Sequence, residues 1–135
     1  MTIGISEFQP MDEAISQDYI NRYAELSGDF NPLHVDVAFA EASEFGGTIA
    51  HGPMQLQPFF RSLSAWLDAD AFPSGTTVSV TYRHPARPGD TIHFEAIRVV
   101  EGEVEDEVFN LEGRSVNQDG QVLAQIATVV PKGKR

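Results

Sequence analysis

An acidic side chain and an imidazole lie five residues apart in the sequence, at Asp29 and His34. Pro32 stands between them, and proline does not continue a helix because it lacks a backbone N–H and its ring clashes with the preceding turn. The chain must turn here, and a turn lets the two side chains converge on one point. Two titratable groups that share one water molecule can move protons to and from it. The pair is therefore a candidate for general acid and base chemistry.

A second stretch, residues 45–54, has the pattern of a glycine-rich approach to a new helix. Gly46, Gly47 and Gly52 precede Pro53, and proline suits the first position of a helix. The start of a helix leaves backbone N–H groups unpaired, and their partial positive charge points at whatever lies in front of them. This stretch is therefore a candidate to hold a negatively charged group.

The composition indicates one globular domain that covers residues 1–135. A chain of this length with 41% apolar residues can build one core but is too short for two. Twenty acidic and nine basic residues give a net charge of −11, which would repel nucleic acid. The sequence contains no cysteine, so disulfides and thiolate metal sites are excluded.

No apolar run reaches the ~18 to 20 residues that span a bilayer, and the N-terminal residues lack the basic and apolar regions of a signal peptide. We therefore expect a soluble, cytoplasmic protein without a membrane partner. The few cations gather at two places. Arg83 and Arg87 flank a proline bend, and Lys132, Lys134 and Arg135 crowd the C-terminus. A small anionic ligand would bind where such cations meet.

Hydrophobic spacing predicts the elements that position these residues. The predicted helices cover residues 17–27, 37–43 and 53–68, and the predicted strands lie within 5–15 and at 76–83, 91–100, 104–116 and 122–130. Ser16 is expected to cap the first helix and Gly28 to end it. Pro58 is expected to kink the long helix or to delay its regular part. Helices followed by four antiparallel strands make an α+β fold in which the sheet wraps the long helix.

Four segments together resemble the MaoC-like, (R)-specific enoyl-CoA hydratase/dehydratase family of hot-dog-fold proteins. The segments are residues 23–36, which contain Gly-Asp-Phe-Asn-Pro-Leu-His, residues 45–52, which end in Ala-His-Gly, residues 83–91, and the hairpin at 117–120. They occur in the family's order and cover nearly the whole chain from about residue 16.

The resemblance implies a central helix wrapped by an antiparallel sheet, and a homodimer or higher homo-oligomer with a continuous sheet. It also implies reversible hydration of a trans-2-enoyl thioester to a (3R)-hydroxyacyl thioester, as in fatty acid metabolism. By position, Asp29 and His34 would be the catalytic pair, and the backbone N–H of Gly52 would bind the thioester oxygen. No cofactor or metal is implied, because coenzyme A or phosphopantetheine is part of the substrate.

The implied reaction sets three tasks. A proton leaves water as the water attacks the β-carbon, another proton reaches the α-carbon, and the thioester oxygen holds negative charge meanwhile. Asp29 and His34 would share the water, and the residue types do not decide which of them protonates carbon. Phe30 and Phe39 are expected to cover the aspartate and desolvate it. The Gly52 amide would hold the oxyanion.

Other interpretations of the same residues are open. A Gly-Asp-x-Asn-Pro segment is often a capped turn, in which Asp29 and Asn31 bond local backbone. His34, Asp36 and His51 are an alternative metal set, although their spacing matches no zinc helix motif.

Four residues are predicted to help bind the substrate or shape its site. Asn31 would fix the turn, and His51 would support the loop beside it. Arg83 and Arg87 are the candidates for the phosphates of coenzyme A.

The sequence departs from the family where the central helix begins. Pro53, Gln55, Gln57 and Pro58 replace residues that are usually small and apolar, so a long plain acyl chain is disfavoured. A shorter, polar or branched acyl group, or one carried by an acyl carrier protein, would fit as well. Two rival functions follow: a dehydratase of carrier-bound β-hydroxyacyl groups in polyketide or related biosynthesis, and a non-catalytic acyl-thioester-binding subunit.

Overall fold

The computed structural model of the protein describes residues 3–69, 71–101 and 108–131. The α-helices are α1 (Gln17–Ser27), α2 (Pro32–Val35), α3 (Val37–Glu41) and α4 (Gln57–Leu67), and short 3-10 helices cover Ile5–Glu7 and Gly52–Leu56. The strands are β1 (Met11–Ala14), β2 (Thr77–Tyr82), β3 (Thr91–Glu101), β4 (Val108–Val116) and β5 (Val122–Pro131). Among these described helices, none is long and apolar enough to cross a membrane.

One antiparallel sheet, in the order β1-β3-β4-β5-β2, wraps around α4. Phe59 and Leu63 of α4 are fully buried against the inner face of the sheet, where Phe94 and Leu111 lie. The predicted α+β hot-dog fold, with a long helix enclosed by an antiparallel sheet, is confirmed. The core arises because the strands alternate inward apolar and outward polar side chains.

A second buried cluster fixes the end of the sheet near the predicted site. Ile20 packs against Met54, Ile92 and Leu123, which come from the central helical segment and from two strands. Ser16 accepts a hydrogen bond from the Tyr19 amide and caps α1, as predicted. The helix α1 is thereby held across the end of the sheet, and the loop that follows it is placed beside the start of the central helix.

The central helical segment differs from its prediction at the start. Residues 52–56 form a 3-10 helix, and the α-helix begins only at Gln57. Pro58 lies in the first turn of α4, where its missing N–H costs no hydrogen bond. Pro58 was predicted either to kink the long helix or to delay its regular part, and the structure shows the delay.

Three other predicted boundaries change. Within residues 5–15 only Met11–Ala14 is a strand, because a 3-10 turn and then Pro10 come before it. The turn after Asn31 contains a short helix, α2, that begins at Pro32. The strand predicted at 104–116 is seen from Val108. The acidic turn predicted at 101–107 lies, after its first residue, outside the described residues, as do the basic residues 132, 134 and 135.

Candidate active site

The loop after α1 is built from two consecutive side-chain turns. Gly28 ends α1 in the left-handed conformation, with φ 77°. Asp29 Oδ1 accepts the Asn31 N–H at 3.2 Å, and Asn31 Oδ1 accepts the Leu33 N–H at 3.0 Å. The capped-turn interpretation is therefore correct. It uses one oxygen of Asp29, while Oδ2 faces His34.

The tautomer of His34 follows from its tether to a second loop. His34 Nδ1 lies 2.8 Å from the carbonyl oxygen of Ile49, and a carbonyl can only accept, so Nδ1 carries the proton. The Ile49 N–H donates in return to the Leu33 carbonyl at 3.0 Å. In the neutral ring, Nε2 is consequently left as an acceptor.

The free acceptor of His34 faces the carboxylate. Nε2 lies 3.8 Å from Asp29 Oδ2, which is too long for a direct hydrogen bond. When Asp29 is ionised and His34 neutral, both atoms are acceptors and each needs a donor. A water molecule has two O–H groups and can satisfy both at once. The predicted convergence of Asp29 and His34 is therefore present, with a geometry suited to one shared water.

His51 supports this pair from behind. Its side chain is 2% exposed, its Nε2 donates to the Asp29 carbonyl oxygen at 2.8 Å, and its ring stacks on that of His34 with 3.9 Å between centroids. The ring of Tyr23 also packs against the His51 ring, with 4.8 Å between the two centroids. His51 thus fixes both the backbone of Asp29 and the plane of His34. The prediction that it supports the loop agrees with these contacts.

Gly52 is the first residue of the 3-10 helix and is half-buried. Within the part of the chain that the structure describes, its N–H has no acceptor. A Cβ at this position would lie 3.0 Å from the ring carbon Cζ of Tyr82, so the Tyr82 ring would have to shift by a few tenths of an ångström to admit a side chain. Glycine therefore leaves room for the Tyr82 ring, and its amide remains available to a ligand.

A cavity of about 300 Å³ adjoins His34 and Gly52, within the size range of small-molecule sites. It is lined by His34, Phe45, Ile49, Ala50, Gly52, Gln55, Tyr82, Arg83, His84 and Pro85. The cavity therefore brings together the imidazole, the free amide and one of the two predicted phosphate-binding arginines.

The other predicted binding residues lie around the cavity rather than on its wall. Asn31 is exposed and its side-chain oxygen is used by the Leu33 amide. The Arg87 guanidinium lies over the glycine-rich loop, where a Cβ on Gly47 would be 3.7 Å from Nη1. Arg83 lines the cavity and donates from Nε to Gln125 Oε1 at 3.0 Å. Neither arginine forms an ion pair within the described ranges.

One expectation and one alternative interpretation for this region are wrong. Phe30 and Phe39 do not seal the aspartate, since they are 57% and 52% exposed and the Asp29 side chain is itself 54% exposed. Asp36 does not join His34 and His51, because its Oδ1 caps α3 by accepting the Phe39 N–H at 3.1 Å.

Asp29 takes the place of Asp36 beside the two histidines. One ligand atom from each of Asp29, His34 and His51 lies within 4.8 Å of the others. The two imidazoles, however, are stacked with 26° between their planes. A metal ion would have to lie near the planes of both rings, and rings stacked at 3.9 Å with 26° between their planes are poorly oriented for that. The arrangement favours hydrogen bonding to a small molecule over metal binding.

Sequence reasoning missed Tyr82 as a site residue. In the strand predicted at 76–83, Val78, Val80 and Tyr82 alternate with polar residues and so face the same side of β2. That alternation already places the ring toward the central helix, and its position directly before Arg83 places it beside the segment at 83–91. The signal was therefore present, but it predicts packing as readily as function.

Comparisons with known proteins agree with this fold. A family model described as the MaoC like domain matches residues 5–118. The chain is 31% identical over 94 residues to a 3-hydroxybutyryl-CoA dehydratase of Methylorubrum extorquens, a match covering 68% of this chain and 57% of that protein. It is 37% identical over 79 residues to a mitochondrial 3-hydroxyacyl-[acyl-carrier-protein] dehydratase of Arabidopsis thaliana, covering 57% and 45%. The chain thus spans about half the length of these curated relatives.

Among solved structures, the (R)-hydratase from A. caviae superposes with a TM-score of 0.75 at 26% identity, covering 90% of this chain and 92% of that one. The match to the family model alone covers well over half of the chain. The hot-dog fold and the order of the motifs along the sequence agree with that match. The protein therefore belongs to the MaoC-like hydratase/dehydratase family.

Proposed function

We propose that the protein is a hydro-lyase that reversibly adds water to a trans-2-enoyl thioester and yields a (3R)-hydroxyacyl thioester. The observation that carries the proposal is the pair of facing acceptors, Asp29 Oδ2 and His34 Nε2, 3.8 Å apart and next to the cavity in which the Gly52 amide is free. Family membership supports the same reaction type.

The proposed reaction is balanced by one water molecule. Its oxygen bonds to the β-carbon as one of its protons passes to Asp29 or His34, and the electron pair of the double bond moves toward the thioester oxygen. A proton from the catalytic pair then reaches the α-carbon. The Nδ1–H bond to Ile49 keeps Nε2 of His34 directed at the water throughout. Dehydration follows the same steps in reverse.

The negative charge that develops on the thioester oxygen would be held by the Gly52 amide. A donor that is already fixed in the protein needs no reorganisation when the charge appears, which is why such donors contribute strongly to catalysis. This arrangement needs no metal and no cofactor, and coenzyme A or phosphopantetheine enters as part of the substrate. Arg83 at the cavity and Arg87 beside it would bind the phosphates.

Assembly is proposed to be homodimeric or higher. Large apolar side chains around the site remain uncovered in the single chain: Leu26 is 86% exposed, and Phe30, Val37 and Phe39 are each about half exposed. Surfaces of this kind favour association. The same fold occurs in the ChsH1-ChsH2 complex from Mycobacterium tuberculosis, which has 16% identity to this chain.

The decisive experiment is a hydration assay across enoyl thioesters. Purified protein should hydrate crotonyl-CoA or a longer or more polar trans-2-enoyl-CoA, and chiral analysis should find the 3R product. Parallel assays with the same acyl groups on an acyl carrier protein separate a coenzyme A enzyme from a carrier-protein dehydratase. Binding of thioesters without turnover of any of them would instead support the non-catalytic subunit.

The acyl group is proposed to carry a hydrogen-bond donor, on the basis of Gln55. This residue lines the cavity and is 2% exposed, and its Nε2 donates to the His84 carbonyl at 3.0 Å. The carbonyl fixes which end of the amide is nitrogen, so Oε1 is the free end. Within the described residues Oε1 is buried without a partner. A buried unpaired acceptor costs ~1–3 kcal/mol. Because Oε1 is closed to solvent, a donor on the substrate would recover this cost after a small shift of the Gln55 side chain.

We expect a Gln55→Met variant to shift selectivity toward plain acyl groups. Loss of a free acceptor worth ~1–3 kcal/mol corresponds to roughly 5- to 160-fold in the ratio of kcat/KM for crotonyl-CoA to kcat/KM for an enoyl-CoA that bears a terminal hydroxyl. Gln57→Met, two residues further along the chain and outside the cavity lining, is the matched control. An unchanged ratio in the Gln55 variant would contradict the proposal.

A further inference from the structure

Tyr82 occupies the space directly in front of Gly52. A Cβ on Gly52 would lie 3.0 Å from Cζ and 3.2 Å from the hydroxyl oxygen of Tyr82. The phenol tip, rather than the flat of the ring, is therefore the part of Tyr82 nearest to the Cβ position of Gly52. Both residues line the cavity that also contains His34.

The hydroxyl of Tyr82 is available to a ligand. Among the described residues it has no hydrogen-bond partner. The residue is 48% exposed, so the cavity side of the ring is open. Partial burial, and to a smaller extent the neighbouring Tyr23, raises the pKa of the phenol above its ordinary value, so the O–H keeps its proton at neutral pH. At that pH Tyr82 can donate.

Strand β2 determines where this donor stands. Tyr82 pairs with Ala124 at the last register position of β2, and the next residue bonds back to β5 through its amide, which donates to the Leu123 carbonyl at 2.8 Å. The ring therefore projects from the end of a sheet strand, a rigid element, toward the first residue of the central helical segment. Donors on such elements are well suited to fixed electrostatic stabilisation.

We propose that the Tyr82 hydroxyl is the second hydrogen-bond donor to the thioester oxygen, acting beside the Gly52 amide. The inference rests on the proposed hydration reaction and adds a catalytic residue to it. An enolate oxygen has lone pairs for two donors, and a single amide leaves one of them unmatched. The phenol contributes by hydrogen bonding alone, so no bond to Tyr82 forms or breaks.

Tyr82→Phe tests the proposal because it removes one oxygen and keeps the ring against Gly52. We expect kcat for hydration to fall by ~100-fold, the scale for loss of one oxyanion donor, with KM changed far less. A second readout is independent of turnover. The carbonyl stretching frequency of bound butyryl-CoA, which has no double bond to hydrate, should be lowered in the wild-type complex and return toward its value in water in the variant.

Thr81→Val is the matched control. Thr81 precedes Tyr82 on β2 and lines a groove on the outer face of the sheet, so this change removes a hydroxyl from the opposite side. It should leave kcat and the carbonyl frequency unchanged, and thermal melting should show both variants folded. A Tyr82→Phe protein with wild-type kcat and wild-type carbonyl frequency would overturn the proposal. A wild-type protein that hydrates no thioester would refute the proposed reaction, while the carbonyl frequency would still decide whether Tyr82 contacts the oxygen.

Discussion

An Asp29→Asn variant is expected to hydrate enoyl thioesters at least ~100-fold more slowly than the wild-type protein, the usual scale for loss of a general acid or base. Asparagine keeps an oxygen for the Asn31 amide, so the loop retains its turn. What it loses is the charge and proton affinity of Oδ2, the atom that faces His34 at 3.8 Å. The measurement is kcat/KM with the best substrate from the thioester panel.

The control for this change lies in the same part of the chain. Asp36→Asn is the identical chemical replacement at a helix cap, where asparagine serves nearly as well as aspartate. It should therefore retain activity. His34→Ala should reduce the hydration activity by as much as Asp29→Asn does. Because the two groups act on one water molecule, the Asp29→Asn/His34→Ala double variant should be only slightly less active than either single variant. Near-full activity in Asp29→Asn would remove this residue from the catalytic pair.

The second large effect is expected from removing the amide of Gly52. Proline at this position has no N–H, and loss of one oxyanion donor should lower kcat by ~100- to 1,000-fold. The residue before the change accommodates proline, since His51 has ψ 141°, which suits a pre-proline residue, and 3-10 residues have φ near that of proline. The measurement is kcat for hydration, together with the carbonyl frequency of bound butyryl-CoA.

Gly52→Ala separates the amide from the bulk of a side chain. Alanine brings the same Cβ against the Tyr82 ring as proline does, but it keeps the N–H. The ratio of the two variants therefore reports the amide alone, and we expect alanine to be ~100-fold more active than proline. Equal activities in two variants that melt like the wild-type protein would show that this amide does not bind the thioester oxygen.

The parts of the site predicted from sequence are those determined by local chain chemistry. Pro32 interrupts a helix and Gly28 ends one, so the convergence of Asp29 with His34 could be predicted without coordinates. The enclosed helix was likewise predictable, because apolar residues repeat at helical spacing in one segment and alternate in the strands.

The parts that could not be predicted depend on contacts between distant segments. The acceptor that sets the tautomer of His34 is the backbone carbonyl of Ile49, and every residue type has such a carbonyl. The exposure of Phe30 depends on which segment packs over it, and the residue type alone does not predict that. Tyr82 reaches Gly52 only because β2 ends beside the central helical segment.

The reciprocal bonds between Leu33, His34 and Ile49 make two separate loops open and close as one unit. If either loop detaches, the Ile49 N–H bond and the His34 Nδ1 bond break together. Local unfolding is cooperative when contacts are shared in this way. The imidazole would then lose its orientation in the same event that releases the chain leading to Gly52, so a partly opened molecule would be inactive rather than slow.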